Sequence, residues 1–362
     1  MSLASLSTGR VFQALFLSFV ICVITAVLAT RFAVRVNLID RPNAEPHKHH
    51  KHPVAISGGI AFFSAMLITE VIFWNRISPQ FRGLTLAAAV IFGFALWDDF
   101  CRLNWKIKLG GQFLGCLVLI LSGTRTHLFE SFDVLPPAAQ TVCDFALTFF
   151  WMAFITNAYN LVDSADGLML GLAAWATGFY IIAALDAGQP DMALYCAVLL
   201  GCVLALTFFN AGPAILFMGD SGAQTIGFIL AAVSIIYTPA EQLQKNTWFL
   251  PILMLGVPIF DTVLVTISRW RRGEHFYRSG TDHTYHRLIR MGFSTDQASG
   301  LMHLACFALE SLGFFAISQR VIEANLIFAV VILLGIAAIY FLEREDLWKI
   351  VRNFIDTNEH LS

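Results

Sequence analysis

Long apolar segments are the feature that most limits how this chain can fold. A transmembrane helix takes about 20 apolar residues, and eleven stretches come close to that length or exceed it. They lie at about 11–33, 54–74, 82–97, 107–123, 137–156, 166–185, 192–210, 222–238, 247–268, 300–318 and 322–342. We therefore expect an all-α, polytopic transmembrane bundle of about 11 spans, in which residues 1–362 form a single integral membrane domain.

The composition supports that class. Of the 362 residues, 57% are hydrophobic and 13% are charged, whereas soluble domains carry about 25% charged residues. The net charge of −2 does not favour nucleic acid, and we expect none as a partner. The first span is too long for the core of a signal peptide. None of the seven cysteines forms a C-x-x-C pair, which is typical of small buried hydrophobes rather than of disulfides or zinc ligands.

The positions of Lys and Arg predict the orientation in the membrane. Cytoplasmic loops are enriched in these two residues. With the N-terminus outside, 17 of the 23 Lys and Arg residues fall in the loops and span ends of one face. This distribution predicts an outside N-terminus and a cytoplasmic C-terminus.

The polar clusters of the chain all fall on that same predicted cytoplasmic face. Chance would distribute such clusters over both faces, and ionisable residues at membrane depth are expensive, so they are candidates for function. We expect an active site built from loops at about 34–53, 98–108, 157–166, 209–222 and 269–299.

One of these loops carries two carboxylates and a lysine. Asp98 and Asp99 are adjacent, and neighbouring carboxylates repel unless a cation lies between them. The pair suits a general base or a metal-linked site, and a helix-end pair neutralised by Arg102 and Lys106 is the alternative. Lys108 is either a phosphate contact or an ordinary membrane anchor, and the spacing does not decide between these.

The segment "TNAYNLVDSADGL" repeats a polar residue every three positions, at Asn157, Asn160, Asp163 and Asp166. Residues at i,i+3 lie on adjoining helix faces, and Asn and Asp oxygens are hard ligands that suit Mg²⁺. Helix capping is the alternative, but capping needs one such residue rather than four. Asp220 lies between glycines, which let a ligand approach the backbone closely.

Two loops are basic and rich in histidine. For "HKHHKH", which contains Lys48 and His50, we favour an anion-binding or headgroup-facing loop over a metal site. His283, His286 and Arg287 indicate contact with a diphosphate, with an ordinary basic loop as the alternative. Hard-metal ligands, paired carboxylates, a lysine and basic loops together fit magnesium-assisted phosphoryl chemistry. The sequence has no Walker A motif and no G-x-G-x-x-G fingerprint.

In these motifs the chain resembles the polyprenyl-phosphate N-acetylhexosamine-1-phosphate transferases. "DRPNAEPHKHHKHPVAISGG", "DDFCRLNWKIKLGGQ", "NAYNLVDSADGL", "GPAILFMGDSG" and "DHTYHRLIRMG" are similar to five family motifs and occur in the family's order. The resemblance implies transfer of a HexNAc-1-phosphate from a UDP-N-acetylhexosamine, by default UDP-GlcNAc, to undecaprenyl phosphate, with UMP released. This reaction would begin a cell-surface polysaccharide such as O-antigen, common antigen or teichoic acid.

The resemblance further implies a setting and a cofactor. The chain would be an enzyme of the bacterial inner membrane whose site faces the cytoplasm, with Mg²⁺ as cofactor, Mn²⁺ as a substitute and a homodimer as an available state. Asp220 would bind Mg²⁺ with Asn160, and Asp163 would act beside them as a catalytic residue. Asp98 would be the candidate base, with Asp99 as its partner. The other implied site residues bind phosphate or donor, and are Lys108, Lys48, His50, His283, His286, Arg287, Asn157, Asn210 and Phe217.

Departures from the family pattern help to place the chain within it. Tyr285 stands where many members have a third histidine, which argues against a three-histidine mechanism, and Ala223 stands where serine is common. The glycine-rich first loop and His-His-His run of the muramyl-pentapeptide branch are missing, which favours the surface-polysaccharide initiators. The alternative functions are a secondary transporter, although no internal repeat is found, and an intramembrane aspartyl protease using Asp163 and Asp220.

Overall fold

The computed structural model describes residues 3–42, 52–132, 135–238, 248–275 and 280–348. The helices of these residues are α1 Leu3–Arg35, α2 Gly58–Ile72, α3 Pro79–Cys101, α4 Trp105–Leu121, α5 Leu128–Phe132, α6 Pro137–Val162, α7 Leu168–Asp186, α8 Pro190–Asn210, α9 Gly219–Ile236, α10 Leu250–Met254, α11 Gly256–Arg272, α12 Thr284–Arg290, α13 Thr295–Ile317 and α14 Val321–Leu342. Three short strands accompany them, β1 Ile39–Asp40, β2 Val54–Ile56 and β3 Leu216–Phe217.

Every predicted apolar segment contains a helix, and the all-α class is confirmed. Eight helices in the described part of the chain are long and apolar enough to cross a membrane, namely α1, α3, α6, α7, α8, α9, α13 and α14. The other predicted spans are shorter, since α2 has 15 residues and α4 has 17. The count of eleven spans and the direction of insertion stay predictions.

The ninth predicted span, at 247–268, is divided rather than continuous. Helix α10 ends at Met254 and α11 begins at Gly256, with Leu255 between them. Pro258 has no backbone N–H to bond the carbonyl of Met254, so a continuous helix would lose a hydrogen bond at this point. The break therefore follows from the sequence "MLGVP".

Helix α9 lies at the centre of the bundle. Its membrane-spanning window is 83% buried, against 6% for α14, which lies at the periphery. It packs against α3, α6 and α2, while α8 packs against α1 and α7. A Cβ atom added at Gly227 would lie 2.8 Å from the Cβ atom of Tyr159, so this glycine permits the close approach of α9 and α6. The start of α9 is therefore surrounded by the ends of other helices.

A small three-stranded sheet lies next to the start of α9. Strand β2 pairs antiparallel with β1, Ile39 opposite Ala55, and parallel with β3, Ile56 opposite Phe217. The chain then enters α2, where a Cβ atom added at Gly59 would lie 2.5 Å from the backbone nitrogen of Gly222. The first turns of α2 and α9 are therefore in direct contact.

Candidate active site

Four helix ends meet at one ion-pair cluster. Asp98 lies near the end of α3, Lys108 in the first turn of α4, Asn160 near the end of α6 and Asp220 in the first turn of α9. The Lys108 ammonium pairs with Asp98 and lies 2.8 Å from Oδ2 of Asp220. Asn160 donates from Nδ2 to Oδ1 of Asp220 over 2.9 Å. The structure thus brings together four site residues that the sequence predicts.

Asp99 accepts hydrogen bonds from the backbone at the start of α9. Its Oδ1 accepts from the backbone N–H of Asp220 at 2.7 Å, and its Oδ2 accepts from that of Ser221 at 3.1 Å. The first N–H groups of a helix have no partner within the helix, and a carboxylate there also interacts favourably with the helix dipole. Asp99 therefore holds the first turn of α9, and with it the backbone of Asp220.

A chain of three carboxamides, of which Gln112 and Gln224 are buried and Asn157 is exposed, supports the same aspartate. Gln224 donates to Oδ2 of Asp220 at 3.1 Å, and its Oε1 accepts from Gln112 at 3.3 Å. Gln112 in turn accepts from Nδ2 of Asn157 at 3.0 Å. Sequence reasoning placed Asn157 in the site but assigned neither glutamine to it, although polar residues within apolar spans are a signal of function.

Asp163 is a half-buried carboxyl that follows α6. No hydrogen bond or ion pair to this carboxyl occurs within the described part of the chain. Burial raises the pKa of Asp163 to about 7, and the nearby carboxylates of Asp220, Asp166 and Asp99 add to that rise. A cation placed among these groups would relieve their repulsion.

The loops before α7 and α9 are tied to each other. Asn210 is buried, its Oδ1 accepts from the N–H of Gly167 at 2.9 Å, and its Nδ2 donates to the carbonyl of Leu216 at 2.9 Å. Asp166 accepts from the N–H of Ala214 at 3.1 Å. Asn210 therefore shapes the backbone of the site. The expected contacts of Asn210 and of the half-buried Phe217 with uridine stay predictions.

The histidine loop contains a buried acid–imidazole pair that the sequence did not indicate as a pair. Nδ1 of His283 lies 2.8 Å from Oδ2 of Asp261, a residue of α11. His286 lies on the next turn, and its buried Nδ1 has no hydrogen-bond partner in the described structure. Sequence reasoning missed Asp261, although a lone carboxylate within an apolar span is a recognised signal.

The expected phosphate contact of Arg287 does not fit its surroundings. Its side chain is buried and bonds to the carbonyls of Asp282 at 2.8 Å and Leu342 at 2.6 Å. It also contacts Ser268 and forms an ion pair with Glu343 at 2.8 Å. Because every guanidinium nitrogen is bonded to protein, Arg287 joins α12 to α11 and α14 instead of facing a ligand.

Two further predicted residues, Lys48 and His50, lie outside the described residues. The first histidine loop therefore stays a prediction. The remaining site residues converge on one end of the bundle, as the clustering of polar loops predicted.

The donor set at this end suits a hard divalent cation. No group of three or more His, Cys, Asp or Glu side chains arranged to hold a metal occurs within the described ranges. Asp220 and Asn160 nevertheless present oxygens of the type that Mg²⁺ takes, and Asp163 adds a carboxyl without a partner. The residues present therefore fit Mg²⁺ with mixed carboxylate and carboxamide oxygens.

The fold and the site define a polytopic membrane protein with an ionic centre where its central helices begin and end. The model of glycosyl transferase family 4 matches residues 81–238, which include Asp98, Lys108, Asn160 and Asp220. This part of the chain is therefore similar to that family.

Three relatives illustrate the breadth of the match. The chain is 27% identical to the undecaprenyl-phosphate alpha-N-acetylglucosaminyl 1-phosphate transferase of Yersinia pestis, over 90% of this chain and 89% of that protein. It is 27% identical to the protein of the same name from Escherichia coli (strain K12), over 97% and 94%. It is 29% identical to the phospho-N-acetylmuramoyl-pentapeptide-transferase of Geobacillus sp. (strain WCH70), over 76% and 89%. None of these three relatives is named as a transporter or as a protease.

Proposed function

We propose that the chain transfers a HexNAc-1-phosphate from a UDP-N-acetylhexosamine, with UDP-GlcNAc as the default donor, to undecaprenyl phosphate. The products are undecaprenyl-diphosphate-HexNAc and UMP, and the reaction is the first step of a cell-surface polysaccharide. The observation that carries the proposal is the ion-pair cluster of Asp98, Lys108 and Asp220 at the end of a membrane bundle. Relatives that match nearly the whole chain carry names that describe this transfer.

The chemistry is a direct displacement. An oxygen of the lipid phosphate attacks the β-phosphorus of the UDP-sugar, the bond from that phosphorus to the bridging oxygen breaks, and UMP leaves with that oxygen. A phosphate dianion needs little help from a base near pH 7, so Asp98 positions Lys108 rather than removing a proton. The Lys108 ammonium offsets phosphate charge in the transition state, where such a fixed charge is most effective.

We further propose Mg²⁺ as the cofactor, with Mn²⁺ as a substitute. Asp220, Asn160 and Asp163 would hold it, and Asp99 would fix the backbone from which Asp220 projects. When bound, the ion offsets negative charge on the diphosphate. The carboxyl of Asp163, which has no hydrogen bond or ion pair within the described residues and lies near other carboxylates, supports this assignment.

The same comparisons favour a branch and a setting. The relatives named for N-acetylglucosamine match 90% and 97% of this chain, while the muramoyl-pentapeptide relative matches 76%. Together with the missing His-His-His run, this favours GlcNAc over the muramyl donor. We place the protein in the bacterial inner membrane with its site facing the cytoplasm, and a homodimer is compatible with the outward face of α14.

The test is UMP release by detergent-purified protein. Undecaprenyl phosphate would be supplied with a panel of UDP-N-acetylhexosamines and UDP-MurNAc-pentapeptide, with Mg²⁺ or with EDTA. Mg²⁺-dependent UMP release with one hexosamine donor is the expected result and identifies the sugar. Folded protein that releases no UMP with any donor and active lipid would overturn the proposal.

A further inference from the structure

The Asp261 carboxylate is used at both of its oxygens. It lies in α11 with 1% of its surface exposed. Its Oδ2 lies 2.8 Å from Nδ1 of His283, and its Oδ1 accepts from the backbone N–H of Thr284 at 2.6 Å. A buried carboxylate is costly unless its oxygens are paired. Asp261 pairs one oxygen with the imidazole of His283 and the other with the first N–H of α12.

These two contacts fix one histidine in place. Thr284 is the first residue of α12, and His283 is its N-cap, so the bond to the Thr284 N–H holds the backbone next to the imidazole. The bond at Nδ1 holds the ring itself and sets which nitrogen carries the proton. With Nδ1 bonded to Asp261, Nε2 is the nitrogen of His283 left to meet a ligand.

Helix α12 lies beside the loops of the candidate active site. Burial raises the pKa of Tyr285, and the nearby Asp166 contributes to the rise. Asp166 bonds the loop that leads to Asp220 through the N–H of Ala214. Helix α11, which carries Asp261, also packs against α6, the helix that carries Asn160 near its end. The loop carrying His283 therefore lies near the site.

The neighbouring His286 has a defined protonation state. Burial lowers the pKa of His286 to about 4, and the adjacent His283 lowers it further, so the ring is neutral near pH 7. Its ring centre lies 5.8 Å from that of His283. One oriented imidazole and one neutral, unpartnered imidazole thus lie side by side.

We propose that Asp261 is a positioning residue for the donor nucleotide. It holds His283 with the proton on Nδ1, so that Nε2 meets the UMP half of the UDP-sugar. This inference rests on the proposed transfer reaction. Asp261 itself does not contact substrate, and its effect passes entirely through His283.

A purely structural cap would behave differently. The Thr284 N–H needs one oxygen, and an asparagine could supply it, so a capping role predicts little effect of Asp261→Asn on activity per folded molecule. A positioning role predicts that the amide no longer selects the proton on Nδ1. Removing a carboxylate that orients a metal-bound histidine typically costs about 10- to 100-fold in activity, and we expect a loss of the same order for His283.

The experiment compares Asp261→Asn with Asp144→Asn. Asp144 is also a buried carboxylate that accepts from the two backbone N–H groups of Phe129 and Glu130, at 3.0 and 3.1 Å. It lies on α6 about 24 Å along the helix from Asn160, because each residue rises 1.5 Å. The control therefore loses a similar capping contact far from the site.

Two readouts separate the inference from the proposed function. With ¹⁵N-labelled histidine, and His283→Gln to assign the signal, NMR in detergent should show the proton on Nδ1 in the wild type and a mixture in Asp261→Asn. In kinetics, kcat/KM for UDP-GlcNAc should fall about 10- to 100-fold in Asp261→Asn, while KM for undecaprenyl phosphate is unchanged. Asp144→Asn should match the wild type in both readouts.

Each outcome has a distinct meaning. An unchanged proton position in Asp261→Asn, or a loss of activity equal to that of Asp144→Asn, would overturn the positioning role. A changed proton position with no activity from the wild type on any donor would overturn the proposed function while preserving the Asp261–His283 pair.

Discussion

Replacing Asp99 with asparagine should loosen the first turn of α9 and displace Asp220. Both carboxylate oxygens of Asp99 accept from backbone N–H groups, those of Asp220 and Ser221. Asparagine keeps one acceptor oxygen and replaces the other with an NH₂ group, which faces a backbone donor. One hydrogen bond is therefore lost, and the remaining one no longer involves a charge.

The size of the effect follows from those two bonds. A hydrogen bond to a charged group contributes about 1.5–3 kcal/mol, and a buried polar group left unpaired costs about 1–3 kcal/mol. We expect the free energy of unfolding to fall by about 2–4 kcal/mol. At about 2 °C per kcal/mol, the Tm in detergent should fall by about 4–8 °C. Displacement of Asp220 by about 1 Å would lower kcat about 100-fold.

The assay measures Tm and UMP release on the same preparations of wild type, Asp99→Asn and Asp144→Asn. Asp144→Asn should lose a similar amount of Tm and keep its kcat, since its amides lie far from the site. An inactive Asp99→Asn with the wild-type Tm would refute the reasoning, because it would mean that Asp99 acts on substrate directly. Normal activity with the wild-type Tm would refute it as well.

Three further results are expected. Asp220→Ala should lower UMP release by about 10³-fold or more while eluting as folded protein on gel filtration, and EDTA should have the same effect on the wild type; near-normal turnover in Asp220→Ala would remove the metal assignment. Arg287→Met should lower Tm by several degrees, because Glu343 and the carbonyl of Leu342 lose their partner. The KM for the donor should be unchanged in the folded protein. A raised KM with a normal Tm would instead show that Arg287 contacts phosphate. Since the pKa of His286 is lowered from 6.5 to about 4, wild-type stability should be intact above pH 6.5 and decline toward pH 4, and the decline should be smaller in His286→Gln when Tm is measured across that range.

The sequence predicted the helices well because membrane spans depend on local composition. Each apolar run contains a helix, although the run at 247–268 is divided into two, and polar residues at span ends such as Asp98, Asn160 and Asp220 lie together at one end of the bundle. Both results follow from the cost of exposing polar groups to lipid. The prediction that all polar clusters lie on one face therefore did not depend on knowing how the helices pack.

The partners of those residues could not be predicted in the same way. Spacing along one helix does not reveal that Asp99 bonds to amides of α9, or that Gln112 meets Gln224, because these contacts depend on how helices pack. Arg287 shows the converse error, since a basic residue in a basic loop resembles a phosphate ligand until its buried partners are seen. Pro258 indicates the helix break at Leu255, but a span prediction from hydropathy alone does not detect it.

The arrangement around Asp220 explains why so many polar side chains persist next to apolar spans. Its carboxylate is bonded by groups from three helices, and a fourth, α3, holds its backbone through Asp99. Buried charges are tolerated when their oxygens and protons are paired, and the free protein pairs the carboxylate of Asp220 in this way. Lys108 then has two carboxylate partners before any phosphate arrives. Phosphate binding must therefore exchange one ionic partner for another, which costs less than bringing a bare ammonium out of water.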